Sequence, residues 1–421
     1  MNSDVLVYAN LAGQDVLSGR LNSHRRRGTE SATFVYDDRY LAHPEAYQLD
    51  PALPLGHGTL QTPTGRALFG AFADSSPDRW GRTLIKRFEQ ARAKEAGRAP
   101  RSMGELDLLL GVRDDLRQGA VRFRSDERGS FLATEDTGVP QLTDLPVLLD
   151  LAARTERGTA GYEDLKRLVR AGSSLGGARP KAHVRDTEGR IAIAKFPSAN
   201  ADTWNVMAWE KTALDLARDA GVQVPDSQLV RFGKRQVLVV NRFDRMEGNV
   251  RIGYASAMTM LEARDGDEGS YLEIAEVLER HSPSATADLQ QLWRRIAFSV
   301  LISNTDDHLR NHGFLHVRGD AWTLSPAFDL NPNPEPGPKH LSTAIDEADT
   351  RASVDTLLSV CDYFRMGHED ALHVLAEVVG ATARWRQVAT KLGLSLREIE
   401  DMRLAFEHPE ADRARLVSGG R

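Results

Sequence analysis

The chain has little cysteine, no long apolar run and no excess of charge of one sign. Cys361 is the single cysteine among 421 residues, so it can form neither an internal disulfide nor a zinc site of several thiolates. No stretch approaches the roughly 18 uninterrupted apolar residues that a membrane-spanning helix needs. No basic residue precedes Arg20, whereas a secretion signal begins with positive charge. These absences predict a protein of the reducing cytoplasm with no membrane segment.

The overall charge is also close to balanced. The chain has 54 basic and 60 acidic residues, a formal net charge of −6, and 41% of its residues are hydrophobic. Such values are ordinary for a soluble globular protein with a large core and two or three domains. They give no general sign of nucleic-acid binding, although the run Arg25-Arg26-Arg27 leaves a local contact with DNA or a partner open.

Changes of pattern divide the chain into four predicted parts. Residues 1–125 form a small mixed domain in which strands such as "DVLVYAN" precede a helix whose cap is Ser75 or Ser76. The polar residues 126–144 form a linker. Residues 145–265 combine helices, a glycine-rich loop and strands in a nucleotide-binding lobe, and residues 266–421 form a mainly helical catalytic lobe. This order predicts an α+β fold.

Phosphoryl transfer from ATP requires several placed charges rather than much covalent chemistry. A loop over the phosphates, a strand lysine and a helix glutamate that pairs with the lysine are typical of protein kinases. Here the loop is "GSSLGGARPK", residues 172–181, and Lys195 ends the strand pattern "IAIAKF". Glu210 follows fifteen residues later in a helical pattern. The three elements therefore occur in the kinase order.

The acidic groups of a kinase follow in "NTDDHLRN" and "PAFDLNP". Asp306 and Asn311 have the spacing between the catalytic aspartate and the magnesium-binding asparagine of protein kinases. Asp329 follows after a predicted β-hairpin that turns at residues 318–320, and Phe328 beside it resembles a rearranged Asp-Phe-Gly motif. Each element alone is a weak signal, but their order and spacing together predict a two-lobed, protein-kinase-like body that binds ATP between its lobes.

Several stretches resemble the successive signatures of one family. They are "SSLGGARPKA", "IAKFPS", "WEKTALDLARDAGVQVPDSQLV", "VVNRFDR", "NTDDHLRNHGFL" and "LSPAFDLNP". In this order they are similar to the HipA-type kinases, the toxin components of bacterial type II toxin–antitoxin systems. The stretch "FADSSPDRWGRTLIKR" resembles the small N-terminal domain of that family. The resemblance extends from about residue 5 to residue 400.

The resemblance implies a serine/threonine protein kinase of HipA-like fold that uses ATP and Mg²⁺. Asp306 would be the catalytic acid, and Asn311 and Asp329 would be the magnesium ligands. Lys195 would bind phosphate, with Glu210 as its partner. The implied nucleotide contacts are Ser173, Ser174, Leu175, Gly176, Gly177, Ala178, Arg179, Lys181, Lys195, His308 and the adenine hinge Asn241, Arg242 and Phe243.

The resemblance also implies a way to switch the enzyme off. Autophosphorylation of Ser174, with Ser173 as the neighbour to be excluded, would expel the loop. A phosphate in a loop that cradles phosphate opposes ATP by repulsion of like charges. Arg179 or Lys181 could capture the new phosphate outside the pocket. The best-known members carry Gln-Glu-Lys where this chain has Arg179-Pro180-Lys181.

The partners implied by the resemblance are proteins. The substrate would be a serine or threonine of a translation protein, such as an aminoacyl-tRNA synthetase. A HipB-like DNA-binding antitoxin would be the cognate partner, so contact with DNA would be indirect.

Two other interpretations use some of the same residues. The first is a metal-dependent hydrolase, because His308 and His312 are four residues apart, as in zinc proteases. However, the general-base glutamate of that motif is missing. Residues 385–406 resemble a helix-turn-helix with a capping box at Ser395 and Glu398, which favours a DNA-binding regulator or co-repressor. The acidic first turns of its second helix would repel DNA phosphates, so a helical hairpin is the stronger interpretation.

Overall fold

The computed structural model describes residues 3–134, 138–172, 177, 179–347 and 349–419. These residues form two compact units. The first contains Met1–Ala201, Asn241–Ala255 and Leu315–Asp320, and the second contains Asp202–Val240, Ser256–Phe314 and Ala321–Arg421. Helices and strands occur in both, as the predicted α+β class requires. The predicted limits of the four sequence parts stay predictions.

The strands of the described residues are short except at the N-terminus. They are β1 (Ser3–Leu11), β2 (Gln14–Arg26), β3 (Thr29–Tyr36), β4 (Leu60–Gln61), β5 (Val121–Arg124), β6 (Lys181–Arg185), β7 (Ile191–Lys195), β8 (Ser227–Phe232), β9 (Arg235–Asn241), β10 (Tyr254–Ser256), β11 (Gly313–Arg318) and β12 (Ala321–Leu324).

The α-helices lie mostly in the second half of the chain. They are α1 (Asp38–Leu41), α2 (Gly70–Asp74), α3 (Arg79–Glu95), α4 (Glu105–Leu110), α5 (Leu145–Glu156), α6 (Tyr162–Arg170), α7 (Val206–Asp219), α8 (Ala257–Met260), α9 (Tyr271–His281), α10 (Ala285–Leu301), α11 (Val354–Ser359), α12 (His368–Thr382), α13 (Trp385–Lys391), α14 (Leu396–Asp401), α15 (Arg403–Phe406) and α16 (Pro409–Val417). Among the described residues, none of these helices is both long and apolar enough to cross a membrane.

An antiparallel sheet with the strand order β4-β3-β2-β1-β5 organises the start of the first unit. Alternate residues of β3 are buried, so one face of the sheet covers a core. Phe34 of β3 packs edge-on against Phe69, which directly precedes α2. It also packs at a tilted angle against Phe72 within α2. Phe123 of the edge strand β5 also packs against Phe72. Aromatic side chains therefore fill this core.

Helix α3 begins later than the sequence pattern predicts. Asp78 caps it, because its Oδ1 accepts a hydrogen bond from the backbone N–H of Gly81 at 2.7 Å. The predicted caps Ser75 and Ser76 instead donate to the carbonyl oxygen of Phe72, at the end of α2. The prediction of Ser75 or Ser76 as the cap was therefore wrong. Three residues that can cap a helix lie within four positions, and local pattern could not choose between them.

The segment 241–255 belongs to the first unit through buried arginines. Arg242 holds Asp244 with two hydrogen bonds of 2.8 and 2.6 Å and donates to the carbonyl of Leu116 at 2.6 Å. Arg245 also pairs with Asp244, and the N–H of Gly119 donates to the same carboxylate at 2.8 Å. The side chains of both arginines and of Asp244 are at most 4% exposed. This network ties the segment to residues 116–119.

The second unit is mainly helical. The long helix α10 is buried along most of its length, and its Trp293 donates to the carbonyl of Leu357 at 3.2 Å. Trp385 of α13 stacks on Phe406 with ring centres 4.7 Å apart and lies against Trp209 of α7. Strands β8 and β9 form an antiparallel hairpin of the same unit. Aromatic packing thus joins the C-terminal helices to α7.

Asp244 should carry much of the stability of the first unit. We expect the substitution Asp244→Ala to lower the free energy of unfolding by about 3–5 kcal/mol, because it leaves two buried guanidinium groups without their carboxylate. The matched control is Asp226→Ala, whose partner Arg218 lies 3.3 Å away in an exposed pair, and it should cost less than about 1 kcal/mol. Urea unfolding of both variants measures the difference. Equal losses would contradict a dominant role for the buried network.

Candidate active site

Asp306 is the exposed residue of a tight turn that follows α10. Ser303 leaves the helix with a positive φ of 53°, which reverses the chain direction. The backbone N–H of His308 donates to the carbonyl of Asp306 at 3.0 Å, and the side-chain amide of Asn311 donates to the same carbonyl at 2.9 Å. The side chain of Asp306 is exposed while Asn311 is buried. The turn therefore exposes the side chain of Asp306, while hydrogen bonds to its carbonyl hold the backbone in place.

The neighbouring Asp307 points into the protein instead. Its carboxylate accepts hydrogen bonds from the hydroxyls of Tyr271 at 2.5 Å and Ser299 at 3.1 Å, and His312 Nε2 lies 3.2 Å away. Burial raises the pKa of Asp307, but the nearby His312 and the two hydroxyl donors outweigh burial and hold the pKa below its ordinary value. Asp307 is thus a structural anion, and Asp306 is the acid of this pair that a substrate can reach.

Asp329 lies in a second loop, after β12. Its φ of +58° is a left-handed backbone conformation that is uncommon for a residue other than glycine and is often found at functional sites. The side-chain amide of Asn331 donates to the carbonyl of Asp329 at 3.1 Å and to its Oδ1 at 3.3 Å. A local hydrogen-bond network therefore orients this carboxylate.

Asparagine and threonine side chains join the two loops. The N–H of Asn331 donates to Oδ1 of Asn304 at 3.1 Å. Asn333 donates through its backbone to the carbonyl of Ser303 at 3.2 Å, and through its side chain to Oγ1 of Thr305 at 2.9 Å. The loop of Asp306 and the loop of Asp329 are thus neighbours within the second unit. These asparagines had no predicted role, although their repetition in "NTDD" and "DLNPNP" is a visible signal.

The side-chain oxygen atoms of these two loops are of the type that magnesium binds. A backbone carbonyl can only accept, so the contact of Asn311 with the Asp306 carbonyl fixes its NH₂ there and leaves Oδ1 on the opposite side. Magnesium prefers oxygen ligands and commonly takes one or two from protein and the rest from phosphate and water. Among the described residues no group of three or more His, Cys, Asp or Glu is placed as a metal centre. Asn311 and Asp329 each carry an oxygen of the kind that magnesium prefers, and their binding of the ion stays a prediction.

The predicted phosphate-binding residues are distributed over both units. Lys195 ends β7 of the first unit and is half-buried, and Glu210 lies on α7 of the second unit, where it is 2% exposed. His308 is half-buried, and its Nδ1 has no hydrogen-bond partner among the described residues. The pairing of Lys195 with Glu210 stays a prediction.

Much of the glycine-rich loop lies outside the described residues. Ser173, Ser174, Leu175, Gly176 and Ala178 are in this part, so their predicted roles stay predictions. Gly177 is exposed with a φ of +100°, and Arg179 is half-buried. Lys181 is buried, and its ammonium pairs with Asp78 at 2.5 Å.

The predicted adenine hinge begins where β9 ends. Asn241 is the last residue of that strand, and the ring of Phe243 lies 6.4 Å from the ring of Tyr254. The guanidinium of Arg242 faces Asp244 and the carbonyl groups of residues 116 and 117. The side chain of Arg242 therefore anchors the segment, and the contact of these residues with adenine stays a prediction.

The residues of the two other interpretations have structural partners. His312 is buried beside Asp307 rather than exposed as a metal ligand. The predicted capping box of Ser395 and Glu398 is confirmed, with reciprocal hydrogen bonds of 3.3 and 2.8 Å. However, α14 has only six residues, and Trp385 of the preceding helix is buried against the helical body. The segment therefore packs as a helical hairpin.

Two family models match this chain. The HipA-like C-terminal domain matches residues 173–388, and the HipA N-terminal domain matches residues 10–124. The chain belongs to the HipA family. The family predicted from the sequence signatures is thereby confirmed.

Curated relatives match over shorter stretches. "Putative kinase Y4dM" of Sinorhizobium fredii is 34% identical over 152 residues, which cover 33% of this chain and 36% of the relative. A "Putative kinase" of Haemophilus influenzae is 28% identical over 147 residues, which cover 30% of this chain and 42% of that relative. The matches thus span less than half the length of these relatives.

A solved structure matches over almost the whole chain. It is a chain from the complex of HipA, HipB and operator DNA of the Shewanella oneidensis MR-1 toxin–antitoxin system. The TM-score is 0.68 with 17% sequence identity, and the match covers 99% of both chains. At this identity the likeness shows the fold, and it confirms the predicted HipA-like fold class.

The two adjacent aspartates should differ in what they stabilise. We expect Asp307→Ala to lower the free energy of unfolding by about 3 kcal/mol, because it leaves the Tyr271 and Ser299 hydroxyls buried without their acceptor. Asp306→Ala should change it by no more than about 0.5 kcal/mol, because Asp306 is exposed. Chemical unfolding of the two variants measures this contrast. A larger loss for Asp306→Ala would reverse the assignment of roles.

Proposed function

We propose that this protein is an ATP-dependent serine/threonine protein kinase. The observation that carries the proposal is the joined pair of loops in the second unit. Hydrogen bonds join the two loops, which carry the exposed acid Asp306, the oriented amide of Asn311 and Asp329 with its left-handed backbone conformation. Membership of the HipA family and the relatives named as kinases support the same activity.

The proposed reaction moves the terminal phosphoryl group of ATP to a protein hydroxyl. Asp306 accepts the hydroxyl proton as the oxygen attacks the γ-phosphorus. The bond from that phosphorus to the β,γ-bridging oxygen breaks, and ADP leaves with the electron pair. Lys195 binds phosphate oxygens, so its charge offsets the negative charge of the transferred group. In this proposal Glu210 keeps the lysine oriented.

Magnesium completes the proposed charge balance. Asn311 through Oδ1 and Asp329 through its carboxylate would hold the ion. Bound there, it would neutralise charge on the β- and γ-phosphates and align them with the attacking hydroxyl. The hydrogen bonds from Asn331 to Asp329 support this role, because they fix the ligand before the metal arrives.

The finer assignments rest on the family. We propose that the loop residue Ser174 is an autophosphorylation site that stops nucleotide binding. We also propose an aminoacyl-tRNA synthetase as the protein substrate and a HipB-like, DNA-binding antitoxin as the partner, so that this chain meets DNA only through the antitoxin. The solved HipA neighbour, whose complex contains HipB and operator DNA, supports the proposed partner.

Removal of the proposed catalytic acid should abolish most transfer without unfolding the protein. We expect Asp306→Asn to lower the rate of phosphate transfer by about 10²- to 10⁴-fold, the usual contribution of a positioned acid or base. Affinity for ATP should stay close to that of the wild type, because Asp306 acts on the hydroxyl. The measurement uses labelled ATP with Mg²⁺ and a panel of purified aminoacyl-tRNA synthetases. Asp320→Asn changes another exposed acid and serves as the matched control.

The same reaction tests the proposed off-switch. Mass spectrometry of the peptide that contains residues 172–181 should find phosphate on Ser174 in the wild type and none in Asp306→Asn. Phosphate on Ser173 instead would move the site by one residue. Full transfer by Asp306→Asn would overturn the assignment of the catalytic acid.

A further inference from the structure

The glycine-rich loop is held at its start by residues of the N-terminal segment. Arg113 donates to the carbonyl of Arg170, directly before the loop, at 2.6 Å. Gly172 has a φ of +76°, and a Cβ placed on it would lie 2.4 Å from Cδ1 of Leu116. Only glycine fits at this close approach. The start of the loop is therefore packed against residues 113–116.

The end of the loop is held by the first turn of α3. The Lys181 ammonium lies 2.5 Å from Oδ2 of Asp78, and the two side chains are 2% and 6% exposed. The indole N–H of Trp80 donates to the carbonyl of Lys181 at 3.2 Å. The other oxygen of Asp78 caps α3 through Gly81. Side-chain and main-chain contacts thus fix Lys181 on the helix start.

The position of Lys181 connects it to the proposed phosphate site. In the antiparallel pair β6–β7, Lys181 lies directly opposite Lys195, so both side chains leave the same face of the sheet. A Cβ on Gly177 would lie 3.3 Å from the Lys181 ammonium. Lys181 therefore places its positive charge next to the loop and beside the proposed phosphate lysine.

Two lysines at such positions repel each other. Asp78 offsets this repulsion, since its carboxylate contacts the Lys181 ammonium directly. An ammonium has three N–H donors, so pairing with Asp78 is compatible with a further acceptor such as a phosphate oxygen.

We propose that Asp78 is a positioning residue for nucleotide binding, which holds the charged Lys181 next to the glycine-rich loop, where it attracts nucleotide phosphates together with Lys195. This inference rests on the proposed kinase function. It gives the N-terminal domain a direct part in the nucleotide site, through a residue that does not itself contact ATP.

The test replaces the ion pair by a neutral pair of similar shape. Asp78→Asn combined with Lys181→Met should fold with stability close to that of the wild type, because neutral replacement of a buried pair is often tolerated and Asn is itself a good helix cap. We expect its affinity for ATP to fall about 10- to 100-fold, as for loss of a hydrogen bond to a charged group. Its affinity for adenosine, which has no phosphate, should not change. Calorimetric titration of both ligands gives the two values.

A second ion pair on the same helix provides the control. Arg82 of α3 pairs with Glu105 through two hydrogen bonds of 2.7 Å. The variant that combines Arg82→Met with Glu105→Gln should bind ATP as the wild type does. The single variant Asp78→Asn, which keeps a cap oxygen for α3, should show the same selective loss of ATP affinity if the double variant does not fold.

The outcomes separate the two proposals. If the folded double variant, Asp78→Asn with Lys181→Met, binds ATP like the wild type, Asp78 has only a structural role and the inference is overturned, while the kinase proposal stands. An equal loss of ATP and adenosine affinity would also overturn it, because that pattern indicates general damage. If the wild type itself binds no ATP, the proposed function fails.

Discussion

The candidate site depends on hydrogen bonds between asparagine side chains and the backbone of two loops. Asn304 is fully buried and accepts from the backbone of Asn331, while Asn333 reaches back to Ser303 and Thr305. Neutral amides can connect two loops that both carry carboxylates without adding charge of either sign. Carboxylates in their place would repel Asp306 and Asp329, and lysines would neutralise them. The amides therefore keep the loops together without adding charge beside the two acids.

The adjacent residues Asp306 and Asp307 have different roles. Asp307 stabilises the turn, whereas Asp306 is the proposed catalytic acid. Asp307 accepts from Tyr271 and Ser299 inside the unit, and Ser299 in turn accepts from the amide of Asn304 at 3.4 Å. The buried acid thus belongs to the same hydrogen-bond network that joins the loops. This network fixes the backbone on both sides of Asp306. A catalytic acid benefits from a backbone that is fixed in this way, since the orientation of the acid is set before the substrate binds.

The sequence is enough to nominate the chemical groups of the candidate site, but it is not enough to predict their surroundings. The spacing of Asp306, Asn311 and Asp329 was visible because the motif is local, and the family signatures follow one another in chain order. The cap of α3 was missed, because Asp78 competes locally with two serines and its contact with Lys181 joins residues about a hundred positions apart. The inclusion of residues 241–255 in the first unit was also beyond local pattern. The residue that pairs with a buried charge is determined by the folded chain, so hydrophobic periodicity in the sequence does not predict it.

Buried arginines bind carbonyl groups at the end of α4 and in the irregular backbone of residues 111–119. Arg117 is fully buried, and its guanidinium donates to the carbonyl groups of Leu109 at 2.8 Å and Val112 at 2.9 Å. Arg242 likewise uses the carbonyls of Leu116 and Arg117. A regular helix or strand would occupy these carbonyl groups with its own N–H donors. Leu109 lies in the last turn of α4, where carbonyl groups have no intrahelical partner one turn ahead, and residues 111–119 form no regular element apart from a 3₁₀ turn at Asp114–Leu116, so these carbonyl groups can accept from buried cations. The same stretch holds the start of the glycine-rich loop and the segment 241–245, so the fold of the N-terminal domain and the geometry of the proposed nucleotide site have a common origin.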